Sequence, residues 1–174
     1  MSPRPSATRH DLDGDPGADS GARRRLAGVA AVLVLGYAAL STYLTSRNPG
    51  WYESLDEPSF QPPDLVFSII WPLNFVALAL VAIAYCLRES PTRSRAFLVV
   101  LAASIIFSLG WALLFYVPHT LLPAAFSLLL SALLTWLVVV AAARSAWWLG
   151  AVLVPYAAWL SLATALAFAY AARN

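Results

Sequence analysis

Residues 65–87 read LVFSIIWPLNFVALALVAIAYCL, from Leu65 to Leu87, without one Asp, Glu, Arg, Lys or His. A charge-free apolar run of this length matches the roughly 20 helical residues needed to cross about 30 Å of hydrocarbon. Working outward from it, four more such runs appear at about Leu26–Thr45, Ala96–Val117, Leu121–Ala143 and Ser145–Ala172. In hydrocarbon the backbone must satisfy its own hydrogen bonds, so runs of this kind fold as helices. Transmembrane strands would be shorter and strictly alternating, which these runs are not. The sequence therefore predicts an all-α membrane protein, a bundle of five transmembrane helices.

The composition agrees. Of 174 residues, 60% are hydrophobic and only 11% are charged, against about 25% charged in an ordinary soluble domain. Mean hydropathy is +0.71. The cations are all arginine, and the net charge of +2 forms no basic, aromatic-interleaved patch of the kind that nucleic-acid binding needs. The single cysteine, Cys86, excludes a disulfide framework and a cysteine-rich metal site.

Arginine placement predicts orientation. Arg23, Arg24 and Arg25 precede the first span, Arg88, Arg93 and Arg95 separate spans two and three, and Arg144 separates four and five. The other side carries Arg47 and Arg173. Positive charge marks the cytoplasmic side, so the amino terminus is expected inside and the carboxyl terminus outside. Residues 1–22, rich in Pro, Gly, Ser and Asp, read as a disordered cytoplasmic tail, and 23–174 as the membrane domain. The first run is too long for a signal core and lacks a cleavage site, so it reads as a retained span. All-arginine usage suggests a GC-rich genome and a bacterial inner membrane.

Several positions invite chemistry. The longest connection, Ser46–Asp64, holds four prolines together with Trp51, Tyr52 and Phe60. It reads either as an interfacial aromatic belt or as a lid over a pocket. Pro72 and Pro155 each remove a backbone donor within a span, which predicts kinks and freed carbonyls. Asn74, the one amide within a span, reads as a helix–helix hydrogen bond or a ligand contact. Ser104, Ser108 and Ala112 recur every four residues, a small-residue stripe that permits close helix approach and predicts a homodimer interface. Phe67, Trp71, Phe75, Trp111, Trp136 and Trp159 run aromatics through the spans, which suits a large flat apolar ligand.

Other function classes lack residues. No ionisable side chain lies mid-membrane, where proton relays and coupled transporters carry theirs. No nucleophile triad, carboxylate pair, His cluster or phosphate-binding glycine loop is present. His119 reads as a solvated loop residue. No metal and no obligatory cofactor is expected.

The stretch Trp51-Tyr52-x-x-Leu55-x-x-Pro58-Ser59-Phe60-x-Pro62-Pro63-x-x-Val66-Phe67-x-x-x-Trp71 resembles the signature of the TspO/MBR family, the tryptophan-rich sensory proteins and animal translocator proteins. Trp111-x-x-x-Phe115-Tyr116, Pro155-Tyr156-x-x-Trp159-x-x-x-Ala163 and Asn174 extend the resemblance over residues 26–174. It implies a cavity beneath the first loop that binds porphyrins such as protoporphyrin IX, and sterols in some members. The implied role is a tetrapyrrole receptor or sensor, with a light-dependent porphyrin-degrading enzyme or a facilitator of porphyrin transport as alternatives. It implies homodimers through span three. The ligand positions it implies are Trp51, Tyr52, Phe67, Trp71, Asn74, Phe75, Ser104, Ser108, Trp111, Trp159 and Ala163. The chain departs from the family pattern at Leu65, Phe75, Ser104, Ser108, Ala112, Ser127 and Ala167, so a drier cavity with fewer hydrogen-bonding groups is expected. Leu166-x-x-x-Tyr170-x-x-Arg173 satisfies the loose cholesterol motif, or else marks an interfacial tyrosine.

Overall fold

In a computed structural model of the chain, residues 16–47 and 49–174 are described. The first fifteen residues of the expected tail, His10 among them, and Asn48 lie outside them. Six helices follow in order: α1 Pro16–Thr45, α2 Pro49–Glu53, α3 Asp64–Arg88, α4 Pro91–Tyr116, α5 Leu121–Ser145 and α6 Trp147–Arg173. Five of them are long and apolar enough to cross a membrane, as the five runs predict. Four spans start and stop within five residues of the charge-free limits, and α1 starts ten residues earlier, at Pro16, because each helix continues through flanking polar residues. The expected tail needs one correction. Residues 16–22 are helical, since nothing between Pro16 and Leu26 breaks a helix once its φ is set by proline.

Local chemistry ends each helix. Ser90 caps α4, its hydroxyl accepting from the Arg93 amide at 3.4 Å, with Pro91 in the first turn. The α4–α5 turn uses His119 at φ 59, and the Thr120 amide returns to the Leu114 carbonyl at 2.9 Å. Ala146 alone separates α5 from α6, in extended conformation with φ −157 and ψ 128.

The helices close a ring in the order α1, α3, α6, α5, α4, with α5 packed most intimately on its two neighbours and α3 least closely on α6. Leu65, Ile69, Leu73, Val76 and Leu80, spaced by three or four residues on α3, are exposed and face lipid. Leu78, Val81 and Ala82 turn inward against Leu101, Leu128 and Leu153. Lipid is as apolar as these side chains, so close packing and buried hydrogen bonds, rather than water exclusion, hold the ring.

The hydrogen bonds are supplied by hydroxyls. The Ser131 hydroxyl on α5 lies 2.9 Å from the Ser104 carbonyl and 3.0 Å from the Ser108 hydroxyl on α4. The Ser104 and Thr135 hydroxyls meet at 2.7 Å. Tyr37 of α1 donates to Ser108 at 2.8 Å, and Tyr156 of α6 donates to Tyr37 at 3.3 Å. One connected set thus ties four of the five spans. Ser131→Ala removes its centre, and a loss of about 1 kcal/mol is expected. A lowered apparent Tm in detergent checks it, and an unchanged Tm would show that the network is not a stabilising element.

This network reassigns the small-residue stripe expected at a dimer interface. Ser104, Ser108 and Ala112 are 2%, 3% and 0% exposed within a single chain, so the stripe is consumed in packing α4 against α5 and α1. Small residues permit close approach to any helix, and here the neighbour belongs to the same chain. Gly110 extends the same contact: a Cβ there would lie 2.7 Å from the Ser127 hydroxyl, which donates to the Phe107 carbonyl at 2.7 Å.

Candidate functional site

The looser α3–α6 seam opens into a cavity of about 500 Å³ beneath the α1–α3 connection. Its aromatic wall comes from helical spacing. Phe67, Trp71 and Phe75 lie four residues apart on α3, and Trp111 and Phe115 lie four apart on α4. Ala163, Leu166, Ala167 and Tyr170 repeat at three and four residues on α6. Ser41, Thr42 and Thr45 close the α1 side. Short side chains on α6 face large rings on α3, which leaves space where two rows of rings would have filled it.

The rings brace one another. Trp71 stacks on Phe75 at 5.8 Å between centroids and meets Trp159 edge-on at 6.4 Å. Phe75 meets Tyr37 edge-on at 5.0 Å, which links the cavity floor to the hydroxyl network. Trp159 also meets Phe67 edge-on at 5.2 Å. The indole N–H groups of Trp111 and Trp159 are buried without a hydrogen-bond partner among the described residues, so packing alone sets their orientation.

The roof is the α2 segment and the chain after it. Tyr52 packs near Phe115, Tyr116 and Tyr170 with centroids 5.8–6.1 Å away. The Tyr52 hydroxyl donates to Gln61 Oε1 at 3.4 Å. The Tyr170 hydroxyl also reaches Gln61 Oε1 and lies 3.4 Å from the Tyr52 hydroxyl. Further along, the Asp56 amide donates to Asn174 Oδ1 at 2.9 Å, and Arg173 Nη1 donates to the Glu57 carbonyl at 2.9 Å. The connection is therefore a lid, tied down to the end of α6. Burial, ahead of every other cause, raises the Tyr52 phenol above its ordinary value of 10.0. A raised folded value means that its contribution to holding the lid is complete below the ordinary value of 10.0 and declines above it. It is lost as pH rises through the folded value.

Asn174→Ala removes one tie. The Asp56 amide is expected to exchange its hydrogen about fivefold faster, the effect of a hydrogen bond worth about 1 kcal/mol. Hydrogen-exchange mass spectrometry over residues 54–61 reads this, and unchanged exchange would leave the lid held by Arg173 and by the Tyr170–Gln61 contact.

Of the residues picked out by sequence, the cavity gathers Tyr52, Phe67, Trp71, Phe75, Trp111 and Ala163. Six others stand elsewhere. Trp51 stacks on His119 at 3.9 Å and meets Phe115 edge-on at 5.3 Å, so it supports the wall from behind and His119 is its partner. Trp159 stands behind Phe67 and Trp71. Asn74 is 6% exposed, off the cavity, and its Nδ2 has no hydrogen-bond partner among the described residues. Ser104 and Ser108 belong to the hydroxyl network. Trp136 is 39% exposed and bonds Ser161, so it faces outward.

The cavity carries polar groups at its roof. Gln61, Asp64, Tyr116 and Tyr170 line it. The departures from the family pattern fall mostly outside it: Leu65 is 70% exposed and Ser127 bonds within the α4–α5 contact. Tyr170 is 3% exposed, so it is neither an interfacial anchor nor the accessible tyrosine of a sterol motif. Its three- and four-residue spacing from Ala167 and Leu166 was the available signal.

Comparison with known proteins agrees with this architecture. The TspO/MBR family model matches residues 28–173. A tryptophan-rich protein TspO of Chlorobaculum tepidum is 28% identical over 142 residues, covering 80% of this chain and 89% of its own. A tryptophan-rich sensory protein of Cereibacter sphaeroides is 29% identical over 122 residues, 68% of this chain and 73% of its own. Protein CrtK of Rhodobacter capsulatus is 32% identical over 131 residues, 70% and 77%. With five membrane-crossing helices, a lidded aromatic cavity and this family match, the chain is an integral membrane protein of the bacterial plasma membrane and belongs to the TspO/MBR family.

Proposed function

We propose that the protein binds a tetrapyrrole such as protoporphyrin IX, one per chain, in the cavity under the lid, and acts as a receptor or sensor for it. The observation that carries this reading is the wall of stacked rings facing small α6 side chains. A flat apolar macrocycle gains most from such a slot, because ring faces offer large contact area at little entropic cost. The volume, about 500 Å³, lies within the range of about 300–1,000 Å³ typical of small-molecule sites. The polar groups sit at one end, under the roof, where Tyr52, Gln61 and Tyr170 offer an orienting point for a ligand's polar edge. A sensory role is consistent with the name of one bacterial relative, the tryptophan-rich sensory protein of Cereibacter sphaeroides.

Titration of the purified protein with protoporphyrin IX, followed by tryptophan fluorescence, is expected to saturate at one ligand per chain. Ala163→Phe, which fills the slot from the α6 side, is expected to abolish saturable quenching while the fold is kept. Linear, non-saturating quenching in the wild type, or full binding by Ala163→Phe, would overturn the assignment. A spectrum unchanged under illumination, relative to free porphyrin in the same detergent, keeps the reading as a receptor. Protein-dependent bleaching would move it to an enzyme.

A further inference from the structure

A second hollow lies at the opposite end of the bundle from the lid. It has a volume of about 420 Å³ between the starts of α1 and α4, and Arg25 and Arg95 line it together with Gly17, Gly21, Ala22 and Leu26. Both arginines are exposed, and the Arg25 and Arg95 side chains belong to different helices that run in the same direction. Gly21 and Ala22 keep the wall low: a Cβ at Gly21 would meet no atom within 4 Å. Leu26, where the apolar run of α1 begins, forms the side toward the hydrocarbon. The hollow therefore straddles the boundary between headgroups and acyl chains.

Among the described residues no acid lines it, and the one salt bridge among them, Arg93 to Glu89 at 3.2 Å, lies outside it. Asp19 is on α1 but off the lining face. Two guanidinium groups facing one hollow repel each other unless an anion sits between them. Their planar forks match the oxygens of a phosphate, which they bind in paired hydrogen bonds. Basic pockets between helix ends at a membrane surface are suited to anionic headgroups.

We propose that this hollow is a binding site for the phosphate headgroup of an anionic phospholipid, gripped by Arg25 and Arg95, with an acyl chain descending along Leu26. The site is separate from the lidded cavity and does not depend on the tetrapyrrole reading. Bound lipid would clamp α1 to α4 at this end.

The full chain in neutral detergent, without porphyrin, is titrated with short-chain phosphatidylglycerol, short-chain phosphatidylcholine, or inorganic phosphate, and unfolding is followed by tryptophan fluorescence. Phosphatidylglycerol is expected to raise the apparent Tm saturably, and phosphatidylcholine is not. The double variant Arg25→Gln/Arg95→Gln is expected to need about tenfold more phosphatidylglycerol for the same rise. Arg144→Gln, at the same end but outside the hollow, is expected to respond like the wild type. Equal responses to the two lipids, an unaltered double variant, or an equal loss in Arg144→Gln would overturn the site. So would a Tm loss in the double variant of the same size in both lipids, which would assign the arginines to pairing within the chain. Inorganic phosphate matching phosphatidylglycerol at equal concentration would overturn the lipid assignment in favour of a soluble phosphate. Should the double variant not fold, Arg25→Lys and Arg95→Lys keep the charge and lose the fork. Each is then expected to weaken the response several-fold, and wild-type responses from both would overturn the proposal.

Discussion

Trp71→Ala is expected to weaken protoporphyrin IX binding about 30-fold, equivalent to about 2 kcal/mol. Trp71 is the middle ring of the α3 row, with Phe67 four residues before and Phe75 four after. It is stacked on Phe75 and braced edge-on by Trp159. Its removal therefore takes away one of the two indole surfaces lining the slot and lets its neighbours relax into the void. The aromatic anchor at the centre of a desolvated site carries a disproportionate share of binding energy. Trp136→Ala serves as the control, because Trp136 faces outward and bonds Ser161 at 3.2 Å; its affinity is expected within twofold of wild type. Trp51→Ala lies between the two, because Trp51 acts through Phe115 and His119 rather than by lining the cavity. Fluorescence titration of the three variants gives the order Trp71, Trp51, Trp136. Unchanged affinity in Trp71→Ala would remove the lidded cavity as the binding site.

Gly150→Val is expected to lower stability by about 2 kcal/mol, through overpacking at a site that cannot yield. Gly150 is buried in the first turn of α6, against the last turn of α5. A Cβ there would lie 2.5 Å from the Ala143 Cβ, 2.9 Å from its Cα and 3.1 Å from its amide nitrogen. Two of these three atoms are backbone, so no rotamer change relieves the clash. The two helices are joined by Ala146 alone, so the hairpin cannot splay without breaking the tight turn. A fall in apparent Tm of about 4–8 °C is expected for a chain of this size. Gly28→Ala and Gly36→Ala are the controls: a Cβ at either meets nothing within 4 Å. Each should be neutral or stabilising by up to about 1 kcal/mol, since alanine is the better helix former. A Gly150→Val protein that melts with the wild type would show that the α5–α6 contact is slack.

How legible the site was depended on what each residue type can mean. Phe67, Trp71 and Phe75 could be read because rings four apart on a helix share one face whatever surrounds them. The lid could be suspected from its length and prolines, but the sequence left it level with an aromatic belt. The tie from Asn174 and Arg173 to Asp56 and Glu57 spans more than a hundred residues and has no local signature. Ser104, Ser108 and Ala112 misled for a physical reason. A small side chain permits close approach without naming the partner, and the partner here is α5 of the same chain. Tyr170 was passed over because a tyrosine near a span end usually marks the interface, whereas this one is turned inward under Gln61.

The sequence by itself determined that the chain is helical, that it crosses the membrane five times, that charge stays at the helix ends, and that aromatics run through the spans as well as the first loop. Those conclusions follow from solvation: hydrocarbon forbids unpaired backbone and bare charge, so length and charge alone mark the spans. Which face of each helix looks inward was decided only by the tertiary structure. In water a polar face would have marked the outside, but in lipid Leu73 facing the acyl chains and Leu78 in the core are chemically alike. The ring order of the helices, the hydroxyl network that claimed Ser104 and Ser108, the loose α3–α6 seam that opens the cavity, and the meeting of Arg25 with Arg95 all rest on that choice of face.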